Sequence, residues 1–162
     1  MSQFRFSTLD FPESERVNAF QEVYASIANM DMAACQGHAP FVEMVGQLLP
    51  NIGVYETIAS PHHSRRTRAH VAAESNDSLA LVVPINNSAL IIPNNSEPLH
   101  CLPGEALLMP SDSIHQALNP NTMSVVVIAA PRKLIAPRAS DLNKHLMKKF
   151  TNASAPELRL LV

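Results

Sequence analysis

Residues Gly104–Asn119 read GEALLMPSDSIHQALN, and the punctuation of this stretch decides the fold. Pro103-Gly104 makes a tight turn, because proline presets φ and glycine accepts backbone angles that other residues resist. Ala106 to Met109 is an apolar run of strand length, and Pro110-Ser111-Asp112 turns the chain back. The returning segment carries His115, placed to point inward at the mouth of a hairpin, and reaches Asn119.

Working outward, the same grammar holds from Phe41 to Ala130. Short apolar runs (Phe41 to Leu49, Ile52 to Ser60, Leu79 to Ile85, Ala89 to Ile92, Leu99 to Leu102, Val125 to Ala129) alternate with Pro, Asn, Ser and Gly clusters. About seven or eight short strands at this spacing predict a sandwich or barrel. Helices flank it. Asp10-Phe11-Pro12-Glu13 has the form of a capping box, and Val17, Phe20, Val23 or Tyr24, and Ile27 follow at helical spacing. After Pro131, Arg132 to Ala136 and then Leu142, Leu146 and Phe150 predict two helical segments broken by Pro137. Lys144, Lys148 and Lys149 belong to the solvated face of the second.

The expected organisation is one mainly β domain over residues 1–162, with a barrel over about 41–130 and a helical segment over about 131–162. Ser154-Ala155-Pro156-Glu157 is a second capping box, and Leu158, Leu160, Leu161 and Val162 follow it. A helix begun and cut after one turn is not stable alone, so the chain is expected to be a fragment of a longer protein.

The composition supports a packed core: 46% of the residues are apolar and 16% charged, which excludes disordered and collagen-like chains. A formal net charge of -2 is no match for a nucleic-acid backbone. No stretch approaches the roughly 20 apolar residues of a membrane helix, and the N-terminus lacks a signal-peptide run. Cys35 and Cys101 are far apart and fit no CxxC or finger spacing. Together these features predict a reduced, cytoplasmic setting.

Two segments carry candidate chemistry. His115 is the first, as an interior hydrogen-bonding or ligand-contacting residue; a histidine satisfied at a loop is the open alternative. The second is Ser60 to Val71, SPHHSRRTRAHV. On a strand, His63, Arg65, Thr67, Ala69 and Val71 share one face, and this is the more apolar face, so it is expected to turn inward. Arg65, with His63, would then enter the cavity, where an arginine needs an anionic partner: a carboxylate ligand or an internal acid such as Glu56 or Glu105. A basic outer strand in water is the open alternative. Tyr55, Leu81, Val83 and Met109 are the expected walls. No metal site is expected, since His62 and His63 are adjacent and would face opposite ways, and His70 and Glu74 add no His-x-His pattern. No catalytic residue is assigned: Ser60, Ser111 and Ser113 lack a nucleophile elbow, and Cys101 beside His100 would point away from it.

The spacing of Gly104, Pro110, Asp112 (in place of a glycine), His115 and Asn119 resembles the second sequence motif of the cupin barrels. In order along the chain, FSTLDFPESERVNAF, SPHHSRRT, CLPGEALLMPSD and VVVIAAPRKLIAPR resemble the N-terminal effector-binding domain of AraC/XylS-type transcription regulators. The family often has a tryptophan where Phe20 stands. The resemblance implies a cupin-like, double-stranded β-helix barrel that binds a small-molecule effector and dimerises through the helices that follow. It implies no cofactor, and it places DNA binding in a helix-turn-helix unit absent from this chain. Two other readings stay open: a small cupin metalloenzyme, an oxygenase or isomerase, and a protein-interaction barrel with no ligand.

Overall fold

The structure is a computed structural model. It describes residues 2–25, 29–35, 41–74, 77–87, 89–93, 97–139, 141–151 and 153–155. Two antiparallel sheets face each other. The larger has the order β1 (Ser2–Ser7), β3 (Val42–Leu49), β4 (Ile52–Ala59), β11 (Met123–Pro131), β6 (Ser78–Pro84), β9 (Glu105–Pro110) and β12 (Lys149–Thr151). The smaller runs β2 (Asp31–Ala34), β5 (His62–Arg66), β10 (His115–Asn119), β7 (Ala89–Pro93) and β8 (Leu99–Cys101). Such double sheets are how an antiparallel chain limits its open edges. This is the mainly β barrel expected from the turn grammar, in the cupin-like form that the resemblance implied, with few and flanking helices.

The central hairpin forms as read. Gly104 holds φ 81° in the turn before β9, a conformation that favours glycine. Along β11, Met123, Val125, Val127 and Ala129 line the interior, while Val126 packs on the other face of the sheet. Glycine also permits a close approach at Gly46, where a Cβ would collide with the Phe4 ring. Phe4 thereby lies across β3 near Tyr55, ring centroids 6.4 Å apart, and ties the edge strand β1 to the sheet.

The helices differ from expectation in detail. Helix α1 spans Arg16–Ala25 and is preceded by single 3-10 turns at Thr8–Asp10 and Glu13–Glu15. Ser7, not Asp10, caps the first of these, accepting from the Leu9 N–H. Phe20, 1% exposed, drives α1 onto the barrel against Met32, Val42 and Ala59. Residues 68–71, read as strand, are instead part of a short helix α2 (Arg68–Ala73). Thr67 caps it, and His70 returns the favour by accepting from the Thr67 N–H.

Beyond β11, helix α3 (Arg132–Ile135) is one turn and Leu142–His145 is a 3-10 turn. Phe150 does not continue a helix. It enters β12, which pairs with β9, because Phe150 there covers Val83 and Ala106 on the outer face of the sheet. Of the second capping box, Ser154 and Ala155 close a turn on Thr151, whose carbonyl accepts from both their N–H groups; residues 156–162 lie outside the described residues.

Candidate functional site

Between the sheets lies a partly open cavity of about 180 Å³. Its register has two distinguishable ends. Ala59 pairs with Met123 and His62 with Asn119, which puts Thr57, His62, Asn119 and Met123 at one end. Arg66 pairs with His115, and with Ser78, Ser111 and Glu74 these form the other. The wall between them is largely apolar and rich in methionine: Met32, Met44, Val82, Ile91, Met109 and Ala117.

At the Arg66 end, the guanidinium is 3% exposed and fully occupied. Its Nε donates to the Ser111 carbonyl at 3.1 Å, and one Nη donates to the Asn29 carbonyl at 2.6 Å and to Glu74 Oε1 at 3.2 Å. The other Nη donates to the Ser111 carbonyl at 2.6 Å and to Glu74 Oε2. Glu74 also accepts from the Asn29 N–H at 2.5 Å. Burial alone would raise the Glu74 carboxyl, but the bonds and charge of Arg66 outweigh it and hold the group below its usual range. The pair clamps β5, the end of α2, the segment before β2 and the β9–β10 turn together. Beside it, His115 shares its Nδ1 with the Ser113 hydroxyl at 3.1 Å and the Ser113 carbonyl at 3.2 Å. Burial pushes its pKa below the ordinary value, only partly opposed by the Ser113 carbonyl.

At the opposite end, His62 Nδ1 lies 2.7 Å from the Ser60 carbonyl, and His62 Nε2 lies 3.0 Å from Asn119 Nδ2. Burial lowers the His62 pKa as well. Two buried oxygens here, Thr57 Oγ1 and Asn119 Oδ1, have no hydrogen-bond partner among the described residues.

Of the residues read from the sequence, His115, Tyr55 and Met109 line the cavity. Arg65 and His63 do not. Both are exposed, and it is His62, Ser64 and Arg66 that face inward. Choosing the more apolar face failed because a polar side chain is buried at little cost once its bonds are met, and Glu74, Asn119 and backbone carbonyls meet them. Leu81 and Val83 also fall outside the cavity, since the β6 residues that line it are Ser78, Ala80 and Val82. Leu81 and Val83 pack with Ala106, Val126 and Phe150 on the outer face. The expected carboxylate partners of an inward arginine change too: Glu56 is exposed, Glu105 bonds Lys149, and Glu74 takes that role.

Sequence reading missed Thr57, His62, Arg66, Glu74 and the bond of Asn119 to His62. Asn119 closes the quoted hairpin motif, and that was the one available signal. Cys101 is buried, its thiol pushed up to about 11 by burial and the neighbouring Glu105 charge, while His100 is exposed. Among the described residues, no three His, Cys, Asp or Glu side chains stand close enough to hold a metal ion, and no helix is long and apolar enough to cross a membrane.

No family model and no curated protein matches the chain. Solved structures do. The AraC-like transcriptional activator CuxR superposes with a TM-score of 0.81 at 15% identity, covering 99% of this chain and 57% of that one. This chain therefore spans little more than half the length of that protein. The Clostridium difficile EutQ protein gives a TM-score of 0.46 at 14% identity, over 57% of this chain and 70% of that one. A cupin domain of an XRE-family transcriptional regulator from Enterobacter cloacae gives 0.44 at 17%, over 59% and 100%. The superposition over nearly the whole of this chain shows its fold: a cupin-like barrel of two antiparallel sheets, as in the matched part of that AraC-like activator.

Proposed function

We propose that the chain is the small-molecule sensing barrel of an AraC-type transcription regulator, working in the cytoplasm. The same module dimerises through the helices that follow the barrel, and the whole protein contacts DNA through a separate part. One observation carries the reading: an apolar cavity whose far end holds two buried oxygens, Thr57 Oγ1 and Asn119 Oδ1, without partners among the described residues. Each such group costs about 1–3 kcal/mol if left unsatisfied, so a barrel serving only as scaffold would gain by filling or pairing the site. A molecule bound inside recovers that cost. The superposition on an AraC-like transcriptional activator supports the regulatory half of the proposal.

The barrel is proposed to bind and release its ligand unchanged. The scattered donor set favours this over a metalloenzyme, since His62 is bonded at both nitrogens and Glu74 is spent on Arg66. Thermal unfolding across a metabolite library, together with metal analysis of the purified protein, tests the proposal. A stabilising ligand with substoichiometric metal is expected. Stoichiometric iron, manganese or zinc would favour the enzyme, and a flat library response would favour a protein-interaction barrel.

A further inference from the structure

The hydrogen-bond order at the Thr57–Asn119 end fixes what kind of group the cavity accepts. The Ser60 carbonyl is only an acceptor, so His62 Nδ1, 2.7 Å away, carries the proton and donates. In the neutral ring, Nε2 is then a lone pair, and Asn119 Nδ2 must donate to it across 3.0 Å. Burial keeps the ring neutral. That orientation leaves Asn119 Oδ1 as a fixed acceptor without a partner among the described residues. Thr57, on the facing sheet at the same end, adds an unpartnered hydroxyl oxygen. Among the described residues, the cavity has no arginine left for an anion: every nitrogen of Arg66 is already bonded to Glu74 or to backbone carbonyls, and Arg65 is outside.

Size sets the remaining limit. A dry apolar cavity of about 150 Å³ holds a benzene molecule, and this one is about 180 Å³. We infer that the cavity takes an uncharged molecule of about one six-membered ring, lying against the methionine-rich wall and donating a hydroxyl or amide hydrogen bond to Asn119 Oδ1. This deepens the sensor reading and rests on it. It also replaces the anionic effector that an inward Arg65 would have implied, because a carboxylate would meet Asn119 Oδ1 acceptor to acceptor.

Three probes of matched ring size separate the possibilities: phenol, toluene and benzoate, each at millimolar concentration, with thermal unfolding of the whole 162-residue chain as readout. Phenol is expected to raise Tm by about 3 °C and to bind about tenfold tighter than toluene, the worth of one buried hydrogen bond. Benzoate is expected to give no shift. Asn119→Leu should erase the preference for phenol over toluene. Should that variant not fold, Thr57→Val, nearly isosteric, should weaken phenol binding and leave toluene unchanged. Benzoate binding as well as phenol, or toluene matching it, would overturn the donor requirement while leaving a ligand-binding barrel in place. No shift with any of the three would overturn this inference, while a stabilising ligand elsewhere in the metabolite library would keep the sensor reading.

Discussion

Arg65 and Arg66 are neighbours in sequence and opposites in environment. Removing the exposed Arg65 side chain should change stability by no more than about 0.5 kcal/mol. Glu74→Gln leaves the Arg66 charge buried and unpaired, and is expected to cost about 3 kcal/mol, read as a fall in the urea midpoint. Equal effects for the two variants would contradict the inward placement of Arg66. The buried titrating groups also set a pH dependence. His62 and His115 titrate below their ordinary 6.5 in the folded chain, so the unfolded chain takes up these protons first. Their contribution is complete above about pH 6.5 and is lost as pH falls from there through the folded pKa values. Glu74, held below its ordinary 4.5, adds a second loss at lower pH, as protonation frees it from Arg66. The urea midpoint should therefore be lower at about pH 5.5 than at about pH 7.5, and His62→Gln should flatten that difference. A midpoint independent of pH over this range would exclude neutral buried histidines.

At the scale of elements, α1 matters more than its length suggests. Ten residues make a marginal helix in water, so packing on the barrel must hold it. Phe20 supplies that packing, and its ring meets the His62 ring at 6.5 Å and 59°. Because Phe20 and Met30 line the cavity, the helix and the segment before β2 form one wall of the site. Phe20→Ala is expected to cost about 3 kcal/mol and to speed amide exchange in α1 before that in β4 and β11. Uniform loss of protection would show that α1 and the barrel unfold as one unit.

For the molecule as a whole, charge and architecture lead to one further expectation. With a formal net charge of -2, the isolated chain should not retard a promoter fragment at low salt. Retardation that falls steeply as salt rises would place DNA contacts on the barrel itself and revise its proposed role.

The sequence by itself determined the barrel. Turn residues at Pro103-Gly104 and Pro110-Ser111-Asp112 and the strand-length apolar runs between such turns are local signals, and they survive folding because turn torsions and strand propensity are set residue by residue. Met109, Tyr55 and His115 reach the cavity for the same reason. The identity of the polar site was settled only in three dimensions. Whether His62 or His63, Arg66 or Arg65 turns inward depends on partners that meet them across the fold: Asn119 is 57 residues from His62, and Ser111 is 45 from Arg66. Apolar burial reads from composition along a strand. Polar burial depends on hydrogen bonds between distant segments, and so only the tertiary structure could decide it.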